Sequence, residues 1–358
     1  MDSNEVVNAF QNDSLGSDDA VGIADKIKKG ELSASLVTQD AIERAKAVNP
    51  KLNAITVENF DLARTNSEKP FSGFFQGVPT FIKDTDEVPG LPLYLGSRSL
   101  PGEPSDKYSK AAKQIIDTGL NCLGTTTTPE FGLTGTTESL RFGATCNPWN
   151  AAYSTGGSSG GSSALVAAGV IPIAHANDGA GSIRIPASCC GLVGLKASRG
   201  RIKDKEVPSY LPANILHDGV VTRSVRDTWA FHAEIEKNIP ATEFPPIGDI
   251  SESFPKNLKI AVLTENCLGE DSSAELVQAT HDVARLCESL GHEVEMISNP
   301  FYKKFDEDFW LLWAHFGFLI RYSVGKELSS KFDHTQLEQW PKYLISRHWR
   351  NIHKVPVA

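Results

Sequence analysis

Three short stretches of this 358-residue chain hold residue types suited to nucleophilic chemistry. Ser182 sits in NDGAGSIRIP, directly after a glycine-rich turn. Such a turn can aim successive backbone N–H groups at one point, which is what a developing oxyanion needs. A serine hydroxyl is a weak nucleophile until a base takes its proton. No histidine is an obvious partner, because His175 is near in sequence but ends an apolar strand. A lysine can serve where burial favours its neutral form, and Lys83 lies in the apolar stretch VPTFIKD. The third stretch, STGGSSGGSSALVAAG (154–169), begins like a flexible linker yet empties into Ala, Leu and Val, which belong in a core.

The glycines do not form a phosphate cradle. No Gly-Lys pair follows them, so G-x-x-x-x-G-K-[ST] is absent, and no register gives G-x-G-x-x-G. Gly156-Gly157-Ser158-Ser159-Gly160 does match the nucleophile elbow G-x-S-x-G. That elbow must follow a hydrophobic strand, whereas CNPWNAAYST, with Pro and two Asn, precedes it here.

Positioning these residues requires a mixed α/β framework. Apolar periodicity predicts two helices before Pro50, broken at Gly30, and a strand over 52–57. A short β-type run ends at Lys83, a helix follows over 110–118, and a strand over 121–125. TTTTPEFGLTGTTE and NPWN are expected to be loops, and the small apolar residues 162–169 a tightly packed helix. The segment VIPIAHANDGAGSIRIPASCCGLVGLKASRGR reads as two strand-like runs around the glycine-rich turn. LKIAVL and HEVEMI flank a helix over 273–290, which makes one strand–helix–strand unit.

Composition bounds the function. With 22% charged and 40% hydrophobic residues, the chain can build a large core. A net charge of -9 without a Lys/Arg block gives no nucleic-acid footprint and fits a small-molecule substrate. The aromatic run FWLLWAHFGFLI (309–320) is too short to span a bilayer and reads as a buried helix or pocket wall. Its His315, Trp310 and Trp313 fit a packed helix face better than a substrate pocket. The N-terminus has no signal-peptide pattern, and residues 1–17 are expected to be a flexible tail ahead of a single domain over 18–358. None of the six cysteines forms a CxxC pair, so buried free thiols in a reducing, cytoplasmic setting are expected, with no metal site.

Taken in order, GVPTFIKD, GGSSGGSS and NDGAGSIRIPASCCGLVGLK resemble the amidase signature family. Lys83 precedes Ser158 by 75 positions, and Ser158 precedes Ser182 by 24, separations that also fit that family. The resemblance implies a large twisted mixed sheet covered by helices and a Ser–cisSer–Lys triad. Ser182 would be the nucleophile, Ser158 the bridging serine after a cis bond to Gly157, and Lys83 the base. Gly179, Ala180 and Gly181, with Ser182, would supply the oxyanion-hole N–H groups, and Asp178 and Arg184 would support the turn. No cofactor is implied. NDGAGSIRIPASCCGLVGLKASRGR with TRSVRD (222–227) is most similar to 6-aminohexanoate cyclic-dimer hydrolases and related amidases. Relatives commonly run on for another hundred residues or so, so the chain is read as lacking the usual C-terminal portion. Three other readings stay open: an amidotransferase A-type subunit releasing ammonia from glutamine, an α/β-hydrolase esterase using Ser158, and a shortened inactive relative that binds a ligand or partner. Oligomeric state stays open too.

Overall fold

A computed structural model describes residues 6–202, 215–238, 244–248, 255–266, 268–270, 272–300 and 304–354. The chain divides into two compact units where one domain was expected. The first is Met1–Ile250 with Lys326–Glu338, and the second is Ser251–Gly325 with Gln339–Val357.

The first unit carries every residue singled out for chemistry. Helices α1 (Ala20–Lys28) and α2 (Ala34–Leu52) are separated at Gly30 as expected, and side-chain oxygens of Asp19 and Ser33 cap their first turns. Pro50 does not close α2 but sits in its last turn, and Asn53 ends the helix in a left-handed conformation. Next come β1 (Ile55–Glu58), α3 (Phe60–Ser67), β2 (Pro79–Lys83), α4 (Lys110–Ile116) and β3 (Asn121–Thr126). Residues 138–154 form two small ladders, β4 (Glu138–Ser139) with β5 (Gly143–Ala144) and β6 (Cys146–Asn147) with β7 (Asn150–Ser154). The NPWN segment is therefore the tip of a hairpin. Beyond it lie α5 (Gly160–Ala167), β8 (Ile173–Asp178), α6 (Arg184–Cys190), β9 (Val193–Gly194), β10 (His217–Thr222) and α7 (Val225–Asn238).

One correction concerns α6. Ile183 and Ile185 alternate with polar residues, which imitates a strand, but Pro186 fits a first helical turn and Gly191 closes the helix with φ 67°. A second concerns the N-terminus. Of residues 1–17, residues 6–17 are packed, not loose: Val7 and Ala9 donate N–H bonds to Pro148 and Ala168 carbonyls, and Val7 and Leu15 are buried.

The strands form a mixed sheet β1–β3–β2, with β2 parallel and β1 antiparallel to β3, and an antiparallel sheet β8–β10–β9. β2 runs beside β8, and side chains join the two. Thr80 Oγ1 donates to the Ile173 carbonyl at 3.0 Å, and the Lys83 N–H donates to His175 Nδ1 at 3.2 Å. The core lies between this surface and the helices, with Val37, Ile42, Phe81, Ile82, Leu123 and Leu165 among its fully buried members.

The second unit holds the expected strand–helix–strand motif: β11 (Lys259–Val262), α8 (Ala274–Ser289) and β12 (Glu293–Met296), with β11 and β12 parallel. The aromatic run forms α9 (Phe305–Leu319), followed by a π-turn; the short α10 (Gly325–Leu328) belongs, after Gly325, to the first unit, and α11 (Gln339–Arg350) to the second. Rings of α9 and α11 interleave, Trp310 against Trp340 at 6.0 Å and Phe318 against His348 at 4.3 Å. That is the packed helix face expected of these residues. Among the described residues, no helix is long and apolar enough to cross a membrane.

A carboxyl inside the first unit titrates out of place. Asp84 is fully buried just after β2 and accepts N–H bonds from Tyr94 at 2.9 Å and Gly96 at 3.1 Å. Burial pushes it up to about 7, against the pull of those N–H groups and of Arg141. The folded state then holds the proton more tightly than the unfolded chain does, so stability falls as pH rises from about 4 to about 7 and levels off above. Asp227, pushed up to about 6 by burial, adds to the fall over a lower range. Urea unfolding at pH 5 and pH 8 should show Asp84→Asn reducing the pH-linked loss by about 2–3 kcal/mol. An unchanged loss would mean that Asp84 is already ionised at pH 5.

Candidate active site

Lys83 is the last residue of β2, and its side chain is wholly buried. Its Nζ lies 2.7 Å from Ser158 Oγ and donates to Asn177 Oδ1 at 2.6 Å. Asn177 is held in turn, its Nδ2 donating to Thr85 Oγ1 at 2.6 Å. The lysine and the first serine, 75 positions apart, are thus brought into direct contact.

Ser158 is positioned by its own backbone. The Gly157–Ser158 bond is cis, as the resemblance implied. Gly157 faces the main chain of Thr136, where a Cβ would stand 2.6 Å from the carbonyl oxygen. No other residue type fits that approach. The run that began like a linker is buried from Thr155 to Val166. Its glycines serve close packing.

Ser182 stands at the end of the turn after β8 and is largely buried. Its carbonyl accepts the Ser159 N–H at 3.3 Å, which ties the nucleophile candidate to the residue following Ser158. Ser159 also exchanges hydrogen bonds at 3.3 Å with the backbone of Asn177.

Asp178 and Arg184 act on the turn as expected. Arg184 donates twice to the Asp178 carboxylate, at 2.9 and 3.0 Å. Burial would raise this carboxyl, but the Arg184 guanidinium and the N–H groups of Gly181 and Ile183 outweigh it and hold it below the usual carboxylate range. This corrects one oxyanion assignment. The Gly181 N–H is committed to Asp178 Oδ1 at 2.6 Å and so does not face an oxyanion. The positive φ of the turn falls on Gly181, at 120°, and not on Ala180, so a Cβ at 180 is accommodated.

Two residues here were missed by sequence reasoning. Asn177 is the second partner of the lysine amine, and His175, set aside as a strand residue, contacts the lysine's backbone. Their spacing held the signal: residues two apart on a strand share a face, and both meet Lys83. His175 also groups with Asp86 and Asp218, all buried, with one ligand-type atom from each lying within 4.8 Å of the others. The described cysteines are free thiols, but only Cys122 and Cys190 are buried as expected; Cys146 and Cys287 are half-buried, Cys189 is exposed, and Cys267 lies outside the described residues.

This geometry agrees with comparisons to known proteins. The family model described as Amidase matches residues 36–352. The chain is similar to the amidase-family protein AmiC of Mycobacterium tuberculosis, 43% identical over 355 residues covering 98% of this chain and 75% of that protein. It is similar to the 6-aminohexanoate-cyclic-dimer hydrolase of Paenarthrobacter ureafaciens, 39% identical over 289 residues, 77% of this chain and 58% of that one. The solved structure of a 6-aminohexanoate cyclic dimer hydrolase with its substrate superposes with a TM-score of 0.82 at 32% identity, covering 93% of this chain and 72% of that chain. The matched region runs through both compact units and includes Lys83, the cis Gly157–Ser158 bond and Ser182, and the chain belongs to the amidase signature family.

Proposed function

We propose that this amidase-family hydrolase cleaves carboxylic amides through an acyl-enzyme on Ser182, with Ser158 as proton bridge and Lys83 as base. The observation that carries this reading is the 2.7 Å contact between the buried Lys83 amine and Ser158 Oγ, beside the cis Gly157–Ser158 bond. Lys83 acts in its neutral form, which burial favours over the ammonium. Its Nζ takes the Ser158 proton, Ser158 Oγ takes the Ser182 proton, and Ser182 Oγ bonds to the amide carbon. The oxyanion meets the N–H groups of Gly179, Ala180 and Ser182. As the C–N bond breaks, the proton returns through Ser158 to the leaving amine. Water then adds to the acyl-enzyme, loses a proton to the same relay, and releases the carboxylate with Ser182 restored. The chain's own groups handle every proton and bond in this scheme.

A linear amide of a small carboxylic acid is the proposed substrate class. The free thiols of the described cysteines suit a reducing cytoplasm. A fluorophosphonate probe with peptide mass spectrometry tests the reading. Ser182 should be labelled in the unaltered chain and unlabelled in Lys83→Ala. A label on Ser158 that persists in the variant would overturn the assignment, as would a folded chain that takes no label.

A further inference from the structure

We infer that the buried His175–Asp218 pair is a positioning dyad that fixes the backbone of Lys83, and so the direction of its amine. This inference rests on the reading of Lys83 as the base. β2 and β8 run side by side, yet at Lys83 an imidazole stands where a ladder carbonyl would have been. The Lys83 N–H donates to His175 Nδ1 at 3.2 Å, and His175 Nε2 lies 3.2 Å from Asp218 Oδ1 on β10. His175 and Asp218 are 0% and 1% exposed. A buried backbone N–H left without an acceptor costs about 1–3 kcal/mol, so the end of β2 depends on this ring.

The hydrogen-bond pattern fixes the tautomer. A backbone N–H aimed at Nδ1 makes that nitrogen the acceptor, which places the ring proton on Nε2 and directs it to Asp218. The same face of the sheet then sets both ends of the lysine. His175 holds its main chain, and Asn177, two residues on along β8 and paired with Asp218 across the β8–β10 ladder, holds its amine. Among the described residues the His175 ring bonds the Lys83 N–H and faces Asp218, with no hydrogen bond to Ser158 or Ser182, so its contribution passes through Lys83.

The nearby carboxylate of Asp86 invites a different reading, a metal ion between Asp86, His175 and Asp218. Asp218 Oδ2 is buried with no hydrogen-bond partner among the described residues, which would suit an ion. The ring argues against it. A metal-bound histidine donates its second N–H to an acceptor. Here the second nitrogen faces a donor, so a metal on Nε2 would need both ring nitrogens deprotonated. Asp86 stands 3.9 Å from Nε2, beyond hydrogen-bond range, and is engaged by Thr85 Oγ1 at 2.9 Å and Ser109 Oγ at 2.7 Å.

The test measures turnover per active site, with sites titrated by the fluorophosphonate probe, on a chromogenic anilide. A purely structural role would lower the number of titratable sites and leave turnover per site intact. For His175→Ala, kcat per titrated site should fall about 10- to 100-fold with KM nearly unchanged. Two amide variants refine this and keep a polar side chain in place if the alanine variant fails to fold. His175→Asn places an acceptor near the Nδ1 position, whereas His175→Gln places its amide nearer Nε2. Asn should therefore restore most of the turnover and Gln little. Equal turnover in the two, or unchanged turnover per site in either His175→Ala or His175→Gln, would overturn the dyad. So would one equivalent of tightly held divalent metal whose removal by chelation abolishes labelling. The underlying reading fails separately, if the unaltered chain is not labelled at Ser182.

Discussion

Ser182→Ala should lower kcat for amide hydrolysis by about 1,000-fold or more, with KM changed little, and Lys83→Ala and Ser158→Ala should each cost about as much. The size follows from the chemistry. In the proposed scheme there is no acyl-enzyme without Ser182. Without Lys83 or Ser158 the Ser182 proton would have no path, because the scheme makes the three groups one relay. The relay also predicts non-additivity: the double variant Lys83→Ala/Ser158→Ala should be no slower than the worse single variant, within a few-fold. Groups that act as a unit behave so, since removing one already removes the service of the others. A double variant slower by the product of the two single effects would show that Lys83 and Ser158 act independently, and would break the scheme despite their 2.7 Å contact. Ser158 Oγ and Lys83 Nζ are both buried, so loss of either removes a buried hydrogen bond. Stability must therefore be measured beside rate, with kcat referred to folded protein.

Much of this site is legible in the sequence because its main residues sit in local patterns. Lys83 ends a strand that hydrophobic periodicity reveals, and Ser182 follows a glycine-rich turn. The residues that escaped notice are those whose roles exist only across strands. Asn177 and His175 are unremarkable in β8 until β2 is laid beside it, and Asp218 gains meaning only through the β8–β10 register. Gly181 shows the same limit within a turn. Its type marks the bend, but only the fold shows that Asp178 takes its N–H. The misread segment α6 had an alternating apolar pattern too short to distinguish a strand from about two helical turns, and tertiary packing decided it. The N-terminal residues read as loose because they are polar. Their anchorage combines backbone bonds to Pro148 and Ala168, burial of Val7 and Leu15, and side-chain bonds of Asp13 to Arg44 and of Ser14 to Asp40, partners too distant in sequence to show in composition.

The Gly/Ser run offers a sharper decision, because its two readings give different outcomes for one substitution. If residues 154–163 were a flexible linker, Gly161→Ala would be close to neutral, since the segment would be equally free in the folded and unfolded chain. The structure places Gly161 in the first turn of α5, pressed on the main chain beside β3. A Cβ there would stand 2.4 Å from Thr127 Oγ1, 2.6 Å from the Ala54 carbonyl oxygen and 2.6 Å from the Thr127 nitrogen. Two of those three atoms belong to the backbone, and Thr127 Oγ1 is itself bonded to Thr145 Oγ1 at 2.7 Å, so none can rotate away cheaply. Relief requires α5 to lift off the strands. We therefore expect Gly161→Ala to destabilise the protein by about 3 kcal/mol, measured by urea unfolding, with helix propensity recovering only part of the loss. Gly135→Ala is the control. A Cβ there would lie 3.9 Å from Ile185 Cδ1, an ordinary contact, and stability should change by less than about 0.5 kcal/mol. The destabilised variant should also lose activity beyond its loss of folded protein. Ser158 lies two residues before α5, and a helix displaced by even a few tenths of an ångström carries its hydroxyl away from the Lys83 amine. A Gly161→Ala protein as stable and as active as the parent would mean that α5 does not press on Thr127 as described. The position of Ser158 would then have to be secured by the Gly157–Thr136 approach alone.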